Sequence, residues 1–340
     1  MKRIGIIGLG FMAATHIKAY RKIDGAQIAA VCNPSGKHLD GDLSDVAGNI
    51  GDQDPVKLDM SEIKAYRDVD EFLSADDLDV IDICTPTKTH LQLSKAALKA
   101  GKHVFLEKPM ARTKVEADLI VEAANASDKY LMPAMCLRFW PQWAWLKKAV
   151  HENRFGKVLS AHFQRIAEPP AWGHSHYFKG ADSGGALLDL HIHDTDFVNF
   201  LFGKPQRIFS IGYSKFTGAI DHVVTDYLFD DGPTVSAEGG WSMTPGFGFK
   251  MAYHVNFENA TVDYDITRTD ELLRLFEKDK DKRIIDCGEE DGYVLELRHF
   301  LQSIEKGTPP SVVTPSDGST AVEICEAEEK SILTREIVTL

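Results

Sequence analysis

The sequence predicts an α/β protein in two parts: an N-terminal doubly wound parallel sheet, then an α/β domain with an open, mainly antiparallel sheet. Three observations carry this expectation. Short apolar runs alternate with amphipathic stretches through the first third of the chain, the pattern of repeated βαβ units. Beyond about residue 131 the runs lengthen, alternate with period two and are separated by turn signals. The chain has 340 residues, more than one comfortable hydrophobic core.

Taken in order, a first strand is expected at residues 3–7, a helix to about residue 22 and a second strand at 27–32. Residues 1–14 also resemble a short signal peptide, with two basic residues ahead of an apolar run. A buried first strand is preferred, because the parallel sheet needs it. The segment 35–59 is rich in Gly and Asp without a period, and is expected to hang outside the sheet. Strands at 80–84 and 103–106 alternate with helices near 91–100 and 114–126. In the second part, strands are expected at 158–168, 207–215, 223–229, 234–241, 250–257 and 261–267, with hairpin turns at 230–233 and 258–260. Helices at 293–305 and 317–333 close the chain, separated by Gly307, Pro309 and Pro310.

Composition narrows the function classes. With 44% apolar and 26% charged residues the chain reads as an ordinary soluble protein. Lys and Arg number 38 against 51 Asp and Glu, and the net charge of −13 disfavours nucleic acid or an anionic membrane as main partner. Cys32, Cys84, Cys136, Cys287 and Cys325 are odd in number and form no CxxC pair, so reduced thiols and a cytoplasmic setting are expected. No run of ~18 apolar residues is present to span a membrane.

The stretch GIIGLGFMAATH places Gly8, Gly10 and the small Ala13 directly after a predicted strand and at the start of a helix. Gly8 allows the tight turn, Gly10 lets the backbone approach a pyrophosphate, and Ala13 lets helix and strand pack closely. The helix start offers free N–H groups and a positive dipole end to phosphates. A dinucleotide cofactor is therefore expected, with Phe11 and Met12 in the same turn. The second strand ends in Asn33 where an acid would grip the ribose of NAD. Asn33 does not repel a 2′-phosphate, and Ser35 and Lys37 suit one. The reading is NAD or NADP, with a slight lean to NADP.

Residues 80–111 hold a second site. One strand ends in Thr85-Pro86-Thr87, followed by His90; the next ends in Glu107-Lys108-Pro109. Ligands of open parallel sheets sit outside the carboxyl ends of strands, so these residues join the expected cofactor set. Whether Lys108-Pro109 is cis stays open at this point.

The stretches GLGFMA, TPTKTH, GKHVFLEKPMA and GGALLDLHIHDTDFVNFLFG resemble, in order and spacing, the glucose-fructose oxidoreductase, inositol dehydrogenase and rhizopine-catabolism family, Gfo/Idh/MocA. The resemblance covers essentially the whole chain. It implies a Rossmann dinucleotide-binding domain, placed at 1–125, and a substrate and oligomerisation domain at 126–340. It also implies NAD(P)-dependent oxidation of a sugar, cyclitol or sugar-derived polyol, and commonly a homodimer or homotetramer. Its catalytic lysine, aspartate and histidine fall on Lys108, Asp189 and His193.

The octet DLHIHDTD, residues 189–196, raises the rival reading of a metal site. Gly203 and Pro205 close the segment as helices commonly close. On a helix Asp189 and His193 share one face, while His191 points roughly 200° away from His193. The two histidines then do not chelate one ion, and no metal is expected. Oxidising a secondary alcohol needs a base near neutrality, and His193 is assigned that role. Lys108 would stabilise developing alkoxide charge and Asp189 would orient one of the two. Asp196 is read as a structural hydrogen-bond partner, and Asp194 as complementing the helix dipole. His191 departs from the family pattern.

Substrate contact is expected from Trp172 and His176 in AWGHSHY, from Arg138 at a position resembling one near cofactor and substrate, and less from Tyr253. Two rival functions are kept: a nucleotide-assisted glycosidase with no net redox change, and a non-catalytic NAD(P)-sensing regulator. The joint presence of Lys108, Asp189 and His193 argues against the second.

Overall fold

Six short apolar runs form the first sheet of the computed structural model, which describes residues 1–46, 48, 54–170 and 178–340. β1 (Lys2–Ile7), α1 (Phe11–Tyr20), β2 (Ala26–Cys32), β3 (Lys64–Tyr66), α2 (Val69–Leu73) and β4 (Val80–Ile83) lead into α3 (His90–Lys99), β5 (His103–Leu106), α4 (Lys114–Asn125) and β6 (Leu131–Pro133). The strand order is β3-β2-β1-β4-β5-β6, with every pairing parallel. All four residues of β4 are buried, as strands covered by helices on both faces require. β1 and β4 are neighbours but not consecutive, so the sheet reverses its winding between them; ligands bind at the carboxyl ends of such a pair.

The second sheet grows from longer, alternating strands. α5 (Pro141–His151), β7 (Val158–Ala167), α6 (Gly180–Ser183), a π-turn (Leu187–His191) and α7 (Ile192–Phe202) come first. They are followed by β8 (Arg207–Tyr213), β9 (His222–Leu228), β10 (Thr234–Gly240), β11 (Phe249–Phe257), β12 (Ala260–Asp265), β13 (Leu273–Glu277) and β14 (Arg283–Ile284). The chain ends with α8 (Gly292–Lys306), α9 (Pro315–Thr334) and β15 (Val338–Thr339). Nine strands run in the order β14-β13-β12-β11-β7-β10-β9-β8-β15, and only β7 with β10 is parallel. The core on one face centres on Trp143, fully buried and edge-on to Phe197 at 4.7 Å and Tyr253 at 5.0 Å between ring centroids. Such aromatic pairs contribute about 0.5–1.5 kcal/mol each beyond their burial.

The chain separates into Met1–Cys136 with Glu290–Ser319, and Leu137–Glu289 with Thr320–Leu340. The seam expected near residue 125 falls inside the first unit, because β6 adds an edge strand there and α8 returns to the same unit from the far end of the chain. Ring contacts show the return: Phe300 lies 5.6 Å from Phe105, and Tyr293 lies 6.5 Å from His16. α5 was not anticipated, although Pro141 at its first position and the buried Trp143, Leu146 and Ala149 mark a helix. The short strands β13, β14 and β15 were also unforeseen. Between residues 33 and 63 the described residues contribute only the isolated Asp42–Lys57 bridge, in keeping with an excursion from the sheet. No helix among the described residues is long and apolar enough to cross a membrane.

Candidate active site

The glycine turn joins β1 to α1 at the reversal of the sheet. Gly8 has φ +86°, and a Cβ there would lie 2.5 Å from the Cys84 carbonyl oxygen at the end of β4, so only glycine fits. At Gly10 a Cβ would meet nothing within 4 Å, leaving open room beside the backbone. That space, with the α1 amides heading the helix and Ala13 fully buried, fits a pyrophosphate. The first bond of the helix is Ala14 N–H to the Gly10 carbonyl at 3.0 Å. At the end of β2, Asn33 Oδ1 accepts from the Ser35 amide at 3.2 Å and hydroxyl at 2.9 Å, and its Nδ2 donates to the Lys37 carbonyl at 2.8 Å. The Asn33 side chain thus builds its own turn. Against that turn lies a cation the sequence reading missed: a Cβ on Gly36 would fall 2.5 Å from Arg67 Nη2.

The lysine turn is built from buried polar groups. Lys108-Pro109 is cis. His90 is fully buried, and its ring nitrogens lie 2.9 Å from the Pro109 carbonyl and 2.8 Å from the Thr85 carbonyl. Burial pushes its pKa down, against the opposing pull of those carbonyls, and a neutral ring donates to one of them at a time. His90 therefore clamps the two loops together. Glu107 also has buried partners. One oxygen accepts from the Lys108 amide at 3.0 Å, and the other lies 3.1 Å from His16 Nε2. His16 Nδ1 lies 2.9 Å from Asp82 Oδ2, so an imidazole on α1 is held by two acids at the ends of β4 and β5. Burial alone would lower the His16 pKa, but the charges of Asp82 and Cys84 and hydrogen bonds to both raise it well above the usual value. His16, Asp82 and Cys84 also form the one group of three metal-ligand side chains among the described residues. They are up to 68 residues apart, which hid them from a search for local spacing.

The octet occupies the π-turn and the head of α7. Its three expected structural or idle residues all have buried partners. Arg165 Nε donates to Asp194 at 2.7 Å, and Arg138 donates through Nε and Nη2 to the two oxygens of Asp196 at 2.9 and 2.6 Å. His191, fully buried, places Nε2 3.4 Å from Glu328 Oε1 and 3.4 Å from the Tyr227 hydroxyl. Asp194 is thus a buried ion-pair partner rather than a dipole ornament, and Asp196 has the structural role expected of it. Asp189, half-buried inside the π-turn, and His193, 9% exposed at the start of α7, stand four residues apart across the junction.

Residues 2–135 match the profile described as oxidoreductase family, NAD-binding Rossmann fold, and residues 143–263 match the GFO/IDH/MocA C-terminal domain. The chain belongs to the GFO/IDH/MocA family of oxidoreductases. Among relatives of this family, myo-inositol 2-dehydrogenase of Thermotoga maritima is 28% identical, over 97% of this chain and 96% of that protein. The scyllo-inositol 2-dehydrogenase (NAD(+)) of Bacillus subtilis is 26% identical, over 95% and 91%. A levoglucosan dehydrogenase structure in complex with NADH and levoglucosan shares the fold, with TM-score 0.84, 22% identity and coverage of 100% of this chain and 99% of that one.

Within this GFO/IDH/MocA chain the substrate candidates fare unevenly. Trp172 and His176 lie outside the described residues. Tyr253 is a core residue, as aromatics that alternate along a strand usually are; it is 2% exposed, with its hydroxyl donating to the Gln142 carbonyl at 2.8 Å. Arg138 is 4% exposed, bidentate to Asp196 and 4.5 Å above the Phe200 ring, so its guanidinium is committed to the core beneath α7. A buried aspartate needs such a cation, and the 58 residues between the two concealed the pair.

Proposed function

We propose that this protein is an NAD(P)-dependent dehydrogenase that interconverts a secondary hydroxyl and a ketone on a sugar, cyclitol or sugar-derived polyol. The observation that carries the reading is the presence, in a chain of this family, of all three groups the proton and charge chemistry requires. Lys108 stands on the turn after β5, Asp189 in the π-turn and His193 in the first turn of α7. The inositol and levoglucosan dehydrogenases among the relatives support the substrate class.

The nicotinamide, when bound, supplies the hydride acceptor. His193 takes the proton of the substrate hydroxyl, an imidazole starting at about 6.5 being suited to that transfer near neutrality. Lys108 donates a hydrogen bond to the same oxygen and offsets its growing negative charge. Asp189 orients one of these two groups and offsets the local positive charge. The finer choice of cofactor leans toward NADP(H). Asn33 leaves no acid at the end of β2 to repel a 2′-phosphate, and Ser35, Lys37 and Arg67 supply donors around the turn. Substituting Arg67→Ala should weaken NADPH binding about tenfold and leave NADH binding unchanged, as read by nucleotide fluorescence. Apolar side chains exposed on the nine-stranded sheet, Leu159, Ile211, Tyr213 and Phe276, support self-association as a dimer or tetramer, and the free thiols suit the cytoplasm.

A panel of polyols and sugars, assayed with NAD and NADP by nicotinamide absorbance, tests the reading. Turnover of a member of that panel is expected, and silence with both nucleotides would overturn the proposal. In His193→Ala the rate should fall by about 10²–10⁴ while NAD(P)H still binds. An unchanged rate would remove His193 from the mechanism.

A further inference from the structure

We propose that His191 is a positioning residue: paired with Glu328, it locks the junction of the π-turn and α7 and so fixes the direction of Asp189 relative to His193. The inference rests on the proposed function for the roles of those two residues. A turn closed from residue i to i+5 is rare and is found mostly at functional sites. Asp189 lies within the wide turn and His193 in the regular helix beyond it. Their relative direction therefore depends on where the wide turn ends, and it ends at His191.

Glu328, on α9, is fully buried and grips this junction at two successive turns. It lies 3.4 Å from His191 Nε2 and accepts from Thr195 Oγ1 at 3.2 Å, and those two residues are i and i+4 on one helix face. It also accepts from the Tyr227 hydroxyl of β9 at 2.8 Å. On the other side of the ring, β10 makes way: a Cβ on Gly239 would lie 2.5 Å from His191 Nδ1. A side chain at Gly239 does not fit this slot unless the ring or the strand moves. An apolar side chain would fill such a space with less desolvation, since a buried ion pair adds little net stability over one. What the pair adds is a fixed direction.

The charged and titratable groups facing His191 are Glu328 of α9, Tyr227 of β9, Asp194 of its own helix and Arg165 of β7. Burial alone would lower the His191 pKa, while Glu328 by charge and hydrogen bond, and then Asp194, outweigh burial and the opposing Arg165, so the net direction is upward. The imidazolium form is thus favoured below the raised value and lost as pH climbs through it.

Glu328→Gln removes the charge with little change of shape, His191→Leu removes the ring, and His191→Gln keeps a donor near the Nε2 position. Glu328→Gln and His191→Leu should lower kcat about tenfold or more with both KM values within about twofold, and His191→Gln should recover part of the loss. In Glu328→Gln the alkaline limb of the rate profile should move toward acid. In nitrogen-labelled histidine spectra, the His193 resonances should shift in Glu328→Gln. A folded Glu328→Gln or His191→Gln protein with wild-type kcat, an unmoved alkaline limb and unmoved His193 resonances would overturn the proposal. If the wild type turns over nothing, the proposed function fails alone, since the His193 resonances still report whether the pair sets the junction.

Discussion

Each unit of the molecule buries one histidine against acids beside a residue of the proposed mechanism, and the two are built differently. In the first, His16 meets Asp82 with one nitrogen and Glu107 with the other, at 2.9 and 3.1 Å. In the second, His191 turns one nitrogen toward Glu328 and Tyr227; its Nδ1, like Nε2 of His16, makes no hydrogen bond, so the Glu107 contact is one of charge alone. Glu328 has two hydroxyl donors besides, whereas Asp82 and Glu107 each keep one other, the Cys84 thiol at 3.3 Å and the Lys108 amide at 3.0 Å. The first network is an ion-pair bridge in which one histidine faces two acids; the second is a carboxylate clasp in which the histidine is one of three donors. A histidine's importance to stability is thus set by what its partners would have left without it.

The largest expected effect separates the two. His16→Leu takes the shared cation from two buried carboxylates and should cost about 3–5 kcal/mol in urea unfolding, the range for breaking a buried pair. His191→Leu leaves Glu328 with both hydroxyls and should cost about 1–3 kcal/mol. Equal losses would erase the distinction.

A pH series sharpens it next. The His16 pKa is raised in the folded protein, so its contribution is complete below the unfolded value of about 6.5 and disappears as pH rises through the folded value. The stability gap between wild type and His16→Leu should therefore be wider at about pH 6 than at strongly alkaline pH, and a gap constant with pH would contradict the bridge. The smallest effect is a scale for the others. Thr113 caps α4 by accepting from the Glu116 amide at 3.2 Å, and Thr113→Ala should cost about 1 kcal/mol without altering either histidine's titration.

Much of this was legible in the sequence because it is local. The GxGxxA turn, the EKP turn and the i, i+4 spacing of Asp189 and His193 depend on neighbours within a few residues, and the parallel and antiparallel halves follow from their periodicities. What stayed hidden depends on pairing at a distance. His16 with Asp82, Arg138 with Asp196, Arg165 with Asp194 and His191 with Glu328 are joined across 66, 58, 29 and 137 residues, with no local signal at either end. For the same reason the buried partners of Glu107, His90 and Arg138 went unseen. β14 and β15 have two residues each, too short for any period to register.

The return of α8 to the first unit bears on how the chain is born. Phe300 completes the packing around Phe105, and Tyr293 stands beside His16, yet both are synthesised only after all of Leu137–Glu289. On the ribosome, the N-terminal sheet must wait with an unfinished side while β7 to β14 are made, and their sheet still lacks β15. Domains generally fold as units during synthesis, N-terminal first. Here each unit is closed by a segment from the end of the chain, the first by Glu290–Ser319 and the second by Thr320–Leu340, so neither can finish before its closing segment is made.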